Sequence, residues 1–202
     1  TRAHIICEGP TEQMFVADVL QPNLSRLRLT TSLQGKFVRR SGKGRGGPIR
    51  YQLLSKDVEF ALKKDRSVVV TTFFDYYALE EEFRRSVPVQ GVTPGETARR
   101  IERAFEKDVV HSMGGNFNPR RLRCYVSMHE FEGLLFSRPE RLASALNILE
   151  SASELQRIRE EFETPEHIND WYDTAPSRRL MRICPHYAKP DDGRRAALSV
   201  GL

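Results

Sequence analysis

Cysteine is scarce in this chain. Cys7, Cys124 and Cys184 are the three it has, far apart and without a Cys-x-x-Cys pair. That excludes a disulfide framework or a zinc ribbon as the basis of the fold and leaves reduced core thiols, as expected of a cytoplasmic protein. No apolar run approaches the roughly 18 residues of a membrane-spanning helix, so no membrane partner is expected. The opening TRAHIICE has no secretory-signal layout and runs straight into a strand-like stretch. GKGRGG, residues 42–47, lacks the Gly-Lys-Ser/Thr ending of a P-loop and follows no strong strand, which argues against ATP hydrolysis by this chain alone. His129-Glu130 would open a zinc-protease helix only with a second histidine at position 133, where the chain has Gly133.

What is present is an ordinary globular composition over 202 residues, with 39% hydrophobic and 29% charged residues, sized for a single domain. Lys and Arg number 32 and Asp and Glu 27, a net charge of 32 − 27 = +5. That balance permits a polyanionic partner without requiring one. His4 to Cys7 is a short buried strand, followed by a helix that Pro10 starts and Pro22 is expected to end. Lys36 to Arg39 reads as an edge strand, and residues 39–47 as a Gly-rich basic loop. Tyr51 to Lys64 is an amphipathic helix, residues 67–74 (SVVVTTFF) the clearest buried strand, Glu96 to Met113 a helix and residues 121–128 a third strand. Helical segments run from Glu130 to about Phe162, then a Pro-punctuated connection over residues 164–180 leads into a last short helix; the tail from His186 is polar, with room for one helical turn. Strands alternating with helices predict an α/β fold: a mainly parallel, Rossmann-like sheet flanked by helices, as one domain over 1–202 with a helical elaboration over about 139–183.

Three of these strands end in acids. Glu8 follows the first, Asp75 the second, and Glu130 with Glu132 the third. Ligands of parallel α/β sheets bind outside the carboxyl ends of the strands. Neighbouring strands lie about 4.8 Å apart, so carboxylates from two or three of them can share one cation. An oxygen-only set favours Mg²⁺ or Mn²⁺. The bland alternative, loop acids and helix caps, stays open, most of all for Glu12 in the first helical turn.

Residues 8–12 (EGPTE), residues 73–77 (FFDYY) and residues 129–136 (HEFEGLLF) resemble, in this order, the motifs of a Toprim-like family of bacterial proteins, often encoded beside AAA-type ATPases. Residues 174–180 and Tyr187-Ala188-Lys189 are similar to its C-terminal motifs. The resemblance implies a Toprim-like sheet and kinship with the OLD-type nucleases. It implies that Glu8 is the first metal-binding glutamate, Glu12 the second acid and Asp75 the first member of an Asp-x-Asp pair. Tyr77 stands where the second aspartate belongs; Glu130 or Glu132 is then the substitute oxygen donor. Lys189 corresponds to the lysine aimed at the phosphate. The implied function is a Mg²⁺- or Mn²⁺-dependent nuclease acting on DNA or RNA with an ATPase partner, in defence against phage or mobile elements. A non-catalytic nucleic-acid-binding or regulatory subunit is the alternative that Tyr77 favours, and a homo-oligomer stays open on either reading.

Further nucleic-acid contacts are expected from Arg39, Arg40, Lys43 and Arg45 in the basic loop, from His129 at a strand end, and from Arg178 and Arg179. Each also has the plainer reading of a solvated charge or a satisfied histidine. Tyr76 and Tyr77 read either as packing residues or as a surface on which a base stacks.

Overall fold

Strand β1 (Arg2–Cys7) is exposed at its start and buried over its last three residues. A computed structural model describes residues 1–38, 48–88, 93–128, 130–168, 172–189 and 191–201. In it β1 lies between β2 (Ser32–Phe37) and β3 (Val68–Asp75), and β4 (Val126–Ser127) completes a four-stranded sheet of order β2-β1-β3-β4. Every pairing is parallel: Cys7 lies beside Phe37 and Phe73, and Asp75 beside Ser127. The chain is therefore α/β with a parallel sheet, consistent with a Rossmann-like fold.

The period of two in β1 divides the core. Ile5 and Cys7 join one apolar cluster and Ile6 the other. The Ile6 side is closed by α3 (Tyr51–Lys64), α4 (Glu81–Ser86) and α5 (Pro94–Met113), through residues such as Leu54, Val58, Phe83, Ile101 and Phe105. The Cys7 side is closed by the first helix and the C-terminal helices. These are α6 (Glu132–Leu135), α7 (Pro139–Leu146), α8 (Ala152–Glu160), α9 (Pro176–Ile183) and α10 (Asp191–Val200). The helical elaboration thus shares one continuous core with β1 rather than building its own.

Four local expectations need correction. Pro22 does not end the first helix: α1 (Pro10–Phe15) passes through a π-helical turn (Val16–Leu20) into α2 (Gln21–Arg26). The amide of Gln21 bonds back to the carbonyl of Val16. This wide turn eases the clash of a proline ring with the carbonyl four residues earlier. The edge strand begins at Ser32 rather than Lys36, because the polar SLQGKF run hides a strand that only one neighbour covers.

β4 has two paired residues rather than eight. The extended chain before it keeps one parallel bridge, Leu122 to Val70, with the amide of Arg123 on the carbonyl of Val70 (3.0 Å), and is otherwise held by side chains. Glu106 accepts from the amide of Cys124 (2.7 Å), Glu102 from that of Val126 (2.9 Å), and the Thr72 hydroxyl brackets Tyr125 (2.8 and 2.9 Å). The polar tail contains a ten-residue helix, α10, with Ala196, Ala197 and Val200 buried. Its buried stripe is made of small residues, which give little apolar signal in sequence.

Candidate functional site

The strand exits bring the acids together. The amide of Glu8 still pairs with the carbonyl of Phe73 (3.1 Å), so Glu8 leaves the sheet one residue past β1, level with β3. Its Oε2 accepts from the amide of Asp75 (3.4 Å), the last residue of β3. Gly9-Pro10 turns the chain into α1, and Glu12, 8% exposed, reaches back so that its Oε2 accepts from the amide of Gly9 (2.8 Å). That is the glutamate half of a capping box, so the cap reading of Glu12 holds locally. Together with Glu132 and Lys189, these side chains line a cleft of about 650 Å³ at the carboxyl ends of β1 and β3.

This cleft is electrostatically unfavourable to itself. Burial pushes the Asp75 carboxyl well above the usual carboxylate range, and the charges of Glu8, Glu12, Glu132 and Glu130 add to the push. Burial likewise raises Glu12, which Glu8 and Glu132 raise further while backbone amides oppose the shift. Glu132 is raised by burial, against the pull of Lys189. Among the described residues, Asp75 Oδ1 is buried without a hydrogen-bond partner. Buried polar atoms in folded proteins are nearly always satisfied, so an orphan of this kind calls for a cause: strain, a catalytic role, or a water or ion that completes it.

Hard oxygen donors of one charge sign, one of them orphaned, are the donor set of Mg²⁺ or Mn²⁺. As the side chains stand, no three His, Cys, Asp or Glu among the described residues form a ready-made ligand set. Glu12 is turned toward Gly9, and Glu132 is engaged elsewhere.

Glu132 is 1% exposed at the start of α6 and is held by two donors. Tyr187 Oη donates to Oε1 (3.2 Å) and Lys189 Nζ to Oε2 (2.8 Å). The Lys189 side chain keeps 39% exposure, so the ammonium sits at the mouth of the cleft with its position fixed by a buried carboxylate. In return, Glu132 raises the Lys189 pKa against the effect of burial, and the lysine is held charged. Glu130 lies nearby, but its Oε2 accepts from the amide of Ser177 (2.8 Å), where it completes the free N-terminal donors of α9.

Gly133, between these acids and the rest of α6, is a close approach: a Cβ there would lie 3.0 Å from the carbonyl oxygen of Pro165. Gly133→Ala is expected to destabilise the fold by about 1–3 kcal/mol, because backbone must shift to admit one methyl group. Urea unfolding at constant m-value measures it; no loss of midpoint would contradict the placement.

The structure thus gathers Glu8, Glu12, Asp75, Glu132 and Lys189 at one cleft and assigns Glu130 to a helix terminus at its side. Arg178 is exposed on α9. Arg179 belongs to the fold: 15% exposed, it donates to the carbonyl of Thr174 (2.8 Å), pairs with Glu161 (3.7 Å) and lies over Phe162. Arg39, Arg40, Lys43, Arg45 and His129 lie outside the described residues. Sequence reasoning gave no role to Tyr187, which fixes Glu132, or to Ser177, which holds Glu130; neither spacing nor composition relates residues 47 or 55 positions apart.

A parallel α/β protein with a rim of buried carboxylates is the class that fold and site define. A family model described as "Domain of unknown function (DUF4276)" matches residues 7–202, and the chain belongs to that family. No curated protein and no solved structure matches the chain.

Proposed function

We propose that this chain is a Toprim-like, Mg²⁺- or Mn²⁺-dependent phosphodiesterase that hydrolyses DNA or RNA. The observation that carries the reading is the orphaned, buried Asp75 oxygen among like-charged carboxylates at the carboxyl rim of a parallel sheet. Glu8, Asp75 and Glu12 would hold the ion. When bound, a divalent ion supplies Lewis-acid polarisation of a phosphoryl oxygen and lowers the pKa of water. Glu132 and Tyr187 position Lys189, whose retained charge faces the cleft and offsets the charge that develops on the phosphoryl oxygens. Glu130 keeps α9 docked beside the rim. The ATPase partner and the role in defence rest on the resemblance of the EGPTE and HEFEGLLF segments.

A second reading has one observation in its favour. Tyr77, in the place of a second aspartate, is 56% exposed on a 3₁₀ turn and brings no carboxylate to the rim. On that reading the chain is a nucleic-acid-binding or regulatory subunit. The two are separated by whether added nucleic acid is cut in a metal-dependent way, or only bound, with an affinity that falls with salt and ignores EDTA.

A further inference from the structure

The turn that follows Asp75 carries aromatic and basic groups that the carboxylate rim does not use. Residues Tyr76–Ala78 form a 3₁₀ turn, and the Tyr76 and Tyr77 rings meet edge to face with centroids 5.2 Å apart. The Arg84 guanidinium, on α4, lies 5.3 Å from the Tyr76 centroid and 5.7 Å from that of Tyr77. Its Nε is tied to the carbonyl of Leu79 (3.2 Å), which fixes the plane. Tyr76 packs against the core on the α3–α5 side, whereas Tyr77 is 56% exposed.

Beside the pair opens a cleft of about 720 Å³ lined by Tyr76, Arg84, Arg85 and Arg100, with Glu81 the one acid among its described lining residues. Arg85 pairs with Glu81 only at the surface, where both side chains are more than half exposed. Arg100 is braced by Glu96 (3.3 Å) and by the carbonyl of Pro88 (2.7 Å). Surface pairs of this kind are weak and yield to a phosphate.

We propose that Tyr77, supported by Tyr76 and Arg84, is a stacking platform for an unpaired base next to the scissile phosphate, with the Arg84–Arg85–Arg100 cleft taking the adjoining backbone phosphate. The inference rests on the phosphodiesterase reading and deepens it: the substrate is single-stranded or frayed nucleic acid. A base inside a duplex has both faces covered by its neighbours, and only an unpaired one offers a face to a ring. Tyr77 lies two residues beyond Asp75 in the chain, so the platform begins where the carboxylate rim ends. The fixed guanidinium beneath the rings adds cation–π character and a positive charge next to a polyanion.

Fluorescence anisotropy with labelled single-stranded DNA, single-stranded RNA and a DNA duplex, in EDTA so that nothing is cut, tests the proposal. The wild-type chain is expected to hold single strands more tightly than the duplex. Tyr77→Ala should weaken single-strand binding roughly tenfold with an unchanged salt slope, because a ring and not a charge is lost. Tyr77→Trp should bind like the wild type, and Arg84→Ala should weaken binding and flatten the salt slope. The DNA and RNA arms show which strand is held. Wild-type binding that Tyr77→Ala leaves unchanged, or a preference for the duplex, overturns the platform and leaves the phosphodiesterase reading standing. No binding of any strand by the wild type overturns the platform, and cleavage measured with metal restored then decides the phosphodiesterase reading by itself. Binding that follows the expected pattern, with no cutting when metal is restored, keeps the platform and removes the enzyme.

Discussion

Replacing Asp75 by asparagine is expected to abolish metal-dependent cleavage while making the metal-free protein more stable. The loss of activity should be about a thousandfold or more, since a charged ion ligand becomes a neutral amide. The gain in stability comes from the same carboxylate. In the folded chain its pKa is raised by burial and by Glu8, Glu12, Glu132 and Glu130, whereas in the unfolded chain it titrates near pH 4. Above that pH the native state holds more protons than the unfolded state, so stability falls as pH rises toward the raised native value and stays lowered beyond it. Glu12 and Glu132 act in the same sense. Asparagine carries no charge to bury among the other carboxylates and so removes the Asp75 share, about 2 kcal/mol at neutral pH, or roughly 4–8 °C in Tm for a chain of this size. Thermal unfolding in EDTA should show the two proteins converging near pH 4 and separating toward pH 7. A variant less stable than the wild type at neutral pH would mean that Asp75 is a satisfied structural acid.

Lys189→Ala should act in the opposite direction on stability. It leaves Glu132, 1% exposed, still held by the Tyr187 hydroxyl but without a countercharge. Removing one partner of a buried pair costs about 3–5 kcal/mol; the partial exposure of Lys189 lets water relax into the gap, so about 2 kcal/mol is expected here. The Lys189→Ala/Glu132→Gln double variant should recover most of it, because no charge is then left buried. Cleavage should fall by about a hundredfold or more in the single variant and stay low in the double, since the cation at the cleft is missing from both. The stability pair is read by a double-mutant cycle in urea. An equal loss from Lys189→Ala in the Glu132→Gln background would show that the lysine stabilises through something other than this carboxylate. The Lys189 pKa is itself raised, so its contribution to stability is present at neutral pH and is lost only as pH climbs past its ordinary value near 10.4.

The site was legible where one residue's chemistry followed directly from strand topology. Glu8 and Asp75 sit at the ends of uncharged, β-rich runs, and parallel order alone carries both to one rim. The sheet was legible for the same reason: the β1 and β3 runs are buried on both faces and read as continuous apolar segments. What stayed hidden was decided by contacts distant in sequence. Glu130 and Glu132 are two residues apart and look interchangeable, yet one is claimed by Ser177 and the other by Tyr187 and Lys189. α10 buries Ala196 and Ala197 against α7, and its Gly193 leaves room for the Tyr187 hydroxyl, which a Cβ would meet at 3.1 Å. Small residues chosen for close approach look like polar tail in a hydropathy reading. Pro22 read as a helix stop because the π-helical turn that accommodates it has no sequence signature.

The most direct test of the central claim is a cleavage assay with the purified chain on single- and double-stranded DNA and RNA, in Mg²⁺, in Mn²⁺ and in EDTA. It would compare the wild type with Glu8→Gln and Asp75→Asn, variants confirmed as folded by their unfolding transitions. The account predicts cutting by the wild type that needs the metal, stops in EDTA and disappears in both variants. Cutting that survives in EDTA or in either variant would contradict it, as would a wild-type chain that binds nucleic acid and leaves every substrate intact with either metal.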